Sequence, residues 1–120
     1  MITRDDVQQW LDAYVEAWRT YDTTAIGELF TEDAIYAYHP YDESLRGREA
    51  IVSSWLDDRD EPGTWTAHYE PLLIEQDRAI ATGETHYTEA GRTFSNLYVL
   101  RFAPDGRCAE FIEWFMEHPA

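Results

Sequence analysis

The chain has 120 residues, which is enough for one domain with a single core, and residues 1–120 are read as that one domain. Its formal charge is −15, and its nine basic side chains are all arginine. Nucleic acid and anionic membrane surfaces both reward basic patches, so neither is an expected partner; the acidity reads as a solvated surface.

Thr3 followed by Asp6 forms a capping-box pattern, with Asp in place of Glu. Val7, Trp10, Leu11, Tyr14, Val15, Trp18 and Tyr21 then recur at helical spacing and predict an amphipathic first helix with an aromatic stripe. Asp22 or Thr23 can cap a short second helix carrying Ile26, Leu29 and Phe30. Ala34 to His39 reads as a strand with Tyr36 and Tyr38 on one face, and Pro40 to Gly47 as a loop. Arg48 to Leu56 gives a third helix, closed off by the charged segment that ends in Pro62-Gly63.

The remainder is strand-like. Thr64 to Ile74 comes first, with Pro71 pointing to an edge or a bulge and leaving the direction of His68 open. Arg78 to Thr88 and Arg92 to Phe102 flank a Glu89-Ala90-Gly91 turn. Pro104-Asp105-Gly106 then leads into Arg107 to Glu117. Helices first and a meander second imply α+β, with three N-terminal helices on one face of a strongly curved antiparallel sheet.

The last strand carries the strongest chemical signal. Ala109, Phe111, Glu113 and Phe115 share one face; Cys108, Glu110, Ile112, Trp114 and Met116 share the other. Both faces are largely apolar, which predicts a central strand covered on both sides. A carboxyl between Phe111 and Phe115 needs a partner or a raised pKa. Glu113 is therefore either a pocket acid or base, or one half of an ion pair with an arginine such as Arg101, or a solvent-facing edge residue. Asn96 shares the Phe94-Asn96-Tyr98-Leu100 face, where a buried amide must orient a neighbour such as Glu113 or contact a ligand. The small face of Ala79, Ala81, Gly83, Thr85 and Tyr87 leaves open volume or packs tightly on helices. His86 falls on the opposite face. His39 sits beside Pro40 at a loop mouth as a gate or an exposed residue, and His118 reads as a mobile terminal residue.

No His-Glu-x-x-His, Cys/His cluster, calcium loop, phosphate loop or nucleophile elbow is present, so no metal and no cofactor are expected. The tryptophans read mainly as core. Cys108 is the lone cysteine, no apolar signal core is seen, and a cytoplasmic location is expected.

Three segments carry a family resemblance: Ala25 to Ala34 (Ala-Ile-Gly-Glu-Leu-Phe-Thr-Glu-Asp-Ala), Leu45 to Ile51 (Leu-Arg-Gly-Arg-Glu-Ala-Ile) and Asp105 to Phe111 (Asp-Gly-Arg-Cys-Ala-Glu-Phe). With the element order, they make the chain resemble the nuclear transport factor 2-like superfamily, SnoaL-like polyketide cyclases, ketosteroid isomerases and limonene-epoxide hydrolases included. The resemblance implies a cone-shaped, barrel-like fold whose helices close the concave face into a cavity, and a homodimer through the convex face. Tyr14 and Tyr98 fall where ketosteroid isomerases carry their oxyanion donors, and Tyr38 where they carry the aspartate base. Tyr36-Ala37-Tyr38 falls on the Tyr-x-Asn water-holding pair of the epoxide hydrolases, Glu113 on their last-strand aspartate, and Ala81, Gly83 or Thr85 near their middle-strand Arg and Asp.

Together these point to general acid–base chemistry of an isomerase, dehydratase, cyclase or hydrolase type in an aromatic cavity. Glu113, Tyr14, Tyr36 and Tyr38 are the candidate catalytic residues. Trp18, Trp55, His68, Tyr87, Asn96, Tyr98, Phe111 and Phe115 are the candidate ligand contacts. The ligand implied is a small apolar, polyketide-like or steroid-like molecule. A non-catalytic binder and a homodimeric interaction module of the same fold are the alternatives.

Overall fold

The computed structural model describes residues 2–119. Helix α1 (Arg4–Thr20) starts at the expected capping box: the Asp6 N–H donates to Thr3 Oγ1 and the Thr3 N–H donates to Asp6 Oδ2. It stops where Tyr21 turns left-handed and donates its N–H to the Ala17 carbonyl. The buried stripe is Val7, Trp10, Leu11, Tyr14 and Ala17.

Helix α2 (Thr23–Glu28) is capped by Asp22 and is shorter than expected, with Leu29 and Phe30 lying beyond it. The Leu29 carbonyl accepts from Trp10 Nε1 at 2.9 Å and from the Cys108 N–H at 2.8 Å, and Phe30 already belongs to strand β1 (Phe30–Ala37). Strand β1 was expected over Ala34 to His39; it begins four residues earlier, and Tyr38 and His39 follow its end. The expected Pro40–Gly47 loop contains the two-residue strand β2 (Leu45–Arg46), paired antiparallel with β1. Helix α3 (Arg48–Asp57) follows Gly47, whose φ of 92° favours glycine.

Strands β3 (Trp65–Glu75), β4 (Arg78–Tyr87), β5 (Arg92–Phe102) and β6 (Cys108–Glu117) form the expected meander. The six-stranded sheet runs β2-β1-β6-β5-β4-β3 and stays open. One expectation fails here: the sheet is mixed, because β1 pairs parallel to β6. Hairpin turns fix the direction of every meander strand, whereas β1 reaches β6 through α3 and the whole meander, so no local signal sets its direction. The class remains α+β, with three helices on the concave side of a cone-like sheet.

Strand β6 is central but its outer face is open: Trp114 and Met116 are 52% and 73% exposed. Cys108 moves the other way. A register shift between Arg101 and Phe102 turns it into the core, where it is fully buried, rather than onto the outer face. Trp10, Trp55 and Trp65 are core residues, Trp18 stacks on Trp65 with centroids 3.6 Å apart, and Trp114 is not core.

Small residues on β4 make room for rings on both neighbouring strands. Gly83 lies opposite Tyr69, and a Cβ there would sit 2.0 Å from the His68 carbonyl oxygen and 2.6 Å from the Tyr69 ring. Backbone atoms cannot yield cheaply, so Gly83→Ala is expected to lower unfolding free energy by about 3 kcal/mol in urea titrations.

Candidate functional site

The helices and the concave face of the sheet enclose a cavity of about 520 Å³, in the range that suits small molecules. Its floor is phenolic. Tyr14 comes from α1, Tyr36 from β1, Tyr69 from β3 and Tyr98 from β5, and all four are nearly fully buried. One wall is polar, built from Thr85, Asn96 and Glu113. Trp18, Trp55, Tyr38, Tyr87, Phe94 and Phe115 complete the sides, and His39 with Asp42 belongs to the same lining. A wider groove of about 700 Å³ runs past Thr23, Arg48 and Leu56 between α2 and α3, away from these groups.

Sheet register assembles the polar wall. Tyr69 faces Gly83, Thr85 faces Phe94, Asn96 faces Phe115, and Tyr98 faces Glu113. Each polar side chain is thus one diagonal step from the next, within reach across neighbouring strands. Asn96 Nδ2 donates to Glu113 Oε2 at 3.0 Å, Thr85 Oγ1 donates to Asn96 Oδ1 at 2.9 Å, and Tyr69 Oη meets Thr85 Oγ1. The single Thr85 proton goes to Asn96, so the Tyr69 hydroxyl must donate to Thr85. Three donors in one direction end on one oxygen of Glu113.

The other oxygen, Oε1, has no protein partner among the described residues and opens on the cavity. Glu113 is half-buried, and burial pushes its carboxyl up to about 7, against the opposing pull of the Asn96 hydrogen bond and the nearby His39. No arginine pairs with it among the described residues. Arg101, the partner considered from sequence, lies opposite Glu110 on the other face.

The same burial acts on the phenols. Tyr14, Tyr36 and Tyr98 are pushed well above the usual tyrosine range, chiefly by desolvation and further by the charge of Glu113, while hydrogen bonding with Tyr14 pulls Tyr36 and Tyr98 back in part. Tyr69 and Tyr38 shift upward as well, and Tyr87 rises to about 12. All remain neutral donors near pH 7. Tyr38 already shares a 2.9 Å hydrogen bond with Ser54. At the mouth, His39 Nδ1 lies 2.8 Å from Asp42 Oδ2; with the carboxylate as acceptor, Nδ1 carries a proton and donates it to Asp42. The ring packs against Tyr41 and Phe115.

Ten of the twelve expected site residues line this cavity: Glu113, Tyr14, Tyr36, Tyr38, Trp18, Trp55, Asn96, Tyr98, Tyr87 and Phe115. Two do not. Phe111 is fully buried beneath the floor, stacked on Tyr36 at 4.4 Å. His68 is exposed on the outer face, opposite Glu84, because Trp65, Ala67, Tyr69 and Pro71 alternate inward ahead of the bulge that follows Pro71. Tyr69, Thr85, Phe94 and Asp42 are site residues that the sequence did not single out, while His39, read as a gate or an exposed residue, lies in the cavity lining. Thr85 stood on the small inward face of β4, and that face was the available signal. His86 lies outside as expected. His118 is held: its N–H donates to the Thr93 carbonyl and its Nε2 meets Ser95 Oγ at 2.7 Å.

Residues 11–111 match the SnoaL-like domain. The chain belongs to that family. No curated protein matches its sequence. Its fold is shared with a nuclear transport factor 2-like protein of unknown function from Burkholderia xenovorans (19% identity, 97% of this chain and 89% of that one, TM-score 0.72). It is shared too with a candidate ketosteroid isomerase from Kribbella flavida (15% identity, 98% and 82% covered, TM-score 0.72). A candidate polyketide cyclase from Sinorhizobium meliloti is similar as well (22% identity, 94% and 100% covered, TM-score 0.67). At these identities the likeness establishes the fold. Among the described residues of this SnoaL-like domain, no helix is long and apolar enough to cross a membrane, and no group of His, Cys, Asp or Glu is placed to hold a metal ion.

A half-buried acid whose pKa rises from 4.5 to about 7 binds its proton more tightly folded than unfolded. Stability linked to it is therefore full at low pH and lost as pH climbs through 7. Glu113→Gln keeps the neutral shape, so wild type and variant are expected to match below about pH 4.5. By about pH 8 the variant is expected to be more stable by about 3 kcal/mol at most, in urea unfolding across the range. A variant less stable at every pH would mark Glu113 as a structural hydrogen-bonding residue instead.

Proposed function

We propose that this SnoaL-like domain is a cofactor-independent enzyme that moves a proton on a small, moderately apolar molecule. Glu113 Oε1 takes the proton from an acidified C–H or from a water, and the phenols of the floor donate to the oxyanion that develops. The observation that carries this is a carboxyl poised near pH 7 with one oxygen fixed by Asn96 and the other open to a cavity. Neutral, desolvated tyrosines suit the second half of the task, since a hydroxyl donor in a water-poor site stabilises developing negative charge strongly. Enolisation, dehydration and cyclisation all begin with such a step. The similar structures titled as ketosteroid isomerase and polyketide cyclase fit an alicyclic or polyketide-like substrate. The lone, buried Cys108 and the acidic, lysine-free surface fit work in a reducing cytoplasm.

The test is deuterium uptake from deuterium oxide into a panel of enolisable cyclic ketones, read by mass spectrometry. Exchange is expected to rise with pH through about 7, as the base loses its proton. Glu113→Gln is expected to lower it by about 10²–10⁴-fold. Exchange that is absent, or that survives the substitution, removes the catalytic proposal. A non-catalytic binder is the second possibility. It is favoured by the hydroxyls of Tyr69 and Tyr38, which are already engaged by Thr85 and Ser54. It predicts saturable binding of the same ketones with no exchange.

The outer face of the sheet bears on assembly. Cross-strand register sets Leu73, Ile80, Val99 and Ile112 in one row, with Leu97 and Trp114 in the next. Leu73 and Trp114 are more than half exposed. We infer that two copies pair through this face. Light scattering is expected to give a dimer for the wild type and a monomer for Trp114→Asp; a monomeric wild type overturns the pairing.

A further inference from the structure

The charged lining of the cavity is mainly acidic, and its one basic side chain, His39, is held by Asp42. None of the nine arginines contributes to its lining, and the chain has no lysine. Four acidic residues do contribute: Asp42, Asp58, Asp60 and, deeper, Glu113. Two are committed to neighbours, Asp42 to His39 and Asp60 as acceptor from Trp18 Nε1 at 2.9 Å. Asp58 has no side-chain partner among the described residues, and Glu113 keeps Oε1 open. Two arginines lie over rings that belong to the lining. Arg59 lies 5.5 Å from the Tyr21 centroid and Arg92 lies 5.2 Å from that of Phe94. Arg92 is further committed to Glu117 through two hydrogen bonds.

We propose that the cavity selects a ring-bearing small molecule carrying a positive charge, an amine in its ammonium form, and turns away carboxylates and phosphates. This rests on the preceding reading of the cavity as a small-molecule site and names the class of molecule it takes. An anion entering would leave water for a space whose one basic side chain, His39, is already paired with Asp42, and would approach Glu113. An ammonium group meets tyrosine and tryptophan faces, whose quadrupoles attract cations, and can donate an N–H to Glu113 Oε1. The bound cation also favours the ionised form of Glu113, which strengthens the pairing and weakens the carboxylate as a base. At the mouth the aspartates raise the local concentration of cations and deplete anions, an effect that salt screens. An ammonium held on Oε1 occupies the oxygen that would take a proton, so an amine bound in this way is a ligand of the pocket that competes with proton transfer at Glu113.

Three probes of one shape test this: 2-phenylethylamine, 2-phenylethanol and 3-phenylpropionate. Binding is followed by NMR on the Asn96 side-chain amide, which touches Glu113. The amine is expected to bind at least about tenfold tighter than the alcohol, with the carboxylate weakest. Added salt is expected to weaken the amine alone. In Glu113→Gln the amine and alcohol are expected to bind within about threefold of each other, and Asp58→Asn is expected to narrow the gap in part. An alcohol or carboxylate that binds as well as the amine overturns the charge selection and leaves the pocket intact. Amine affinity unchanged in Glu113→Gln does the same, since it marks binding to the general acidic surface. If none of the three moves the Asn96 signal at millimolar concentration, the small-molecule reading falls with it.

Discussion

Everything proposed for the cavity depends on one hydrogen bond with a fixed direction, from the Asn96 amide to Glu113 Oε2. An asparagine can present either its carbonyl or its amide to a neighbour. Here the choice is made from behind, because Thr85 donates its only proton to Asn96 Oδ1, and Tyr69 satisfies Thr85 in turn. The amide must then point at Glu113. An ionised and a neutral carboxyl can both accept at Oε2, so the arrangement survives protonation, and the proton that comes and goes is confined to Oε1. Nothing in the wall has to reorient when the acid changes state. That is the condition under which a fixed polar environment is useful to a proton transfer.

Sheet register is the reason such a chain can form. Four strands contribute one polar residue each, at diagonal positions, and the meander's hairpins fix that register locally. The small face of β4 is the complement. Ala79, Ala81 and Gly83 leave room for Tyr98 and Tyr69 on either side, and Gly83 in particular allows the Tyr69 backbone and ring to come close. Cavity floor and polar wall therefore rest on the same few positions.

These relations explain what was legible in the sequence. Hairpin strands are set by local turns and alternation, and β5 was found with both its ends. Glu113 could be placed indoors because Phe111 and Phe115 flank it on the same face. Strand β1 was harder: its start is set by Trp10 and Cys108 claiming the Leu29 carbonyl, and its direction by a partner at least 75 residues away (Ile35 on Glu110), neither of which leaves a local mark. Pro71 obscured the alternation of β3, and with it the exchange of roles between His68 and Tyr69. The bulge beside Phe102 likewise turned Cys108 inward. Thr85 was visible as an inward residue but not as a relay, because its role follows from counting protons across four strands rather than from its own neighbours.

The division of labour in the site comes from one cause acting on two kinds of group. Burial disfavours every negative charge in the cavity. A phenol starts near 10, so burial moves it away from the physiological range and it stays a donor. A carboxyl starts at 4.5, so the same burial brings it to about 7, where it can take a proton and return it. The shift is held in bounds because the wall restores part of the lost solvation: the Asn96 hydrogen bond stabilises the ionised form, and His39 lies on the other flank. With more apolar surroundings Glu113 would stay protonated; with a paired arginine it would stay ionised. Phe111, stacked beneath Tyr36, supplies the apolar backing and the relay supplies the polar facing, and the chemistry proposed here requires that both act on the same side chain.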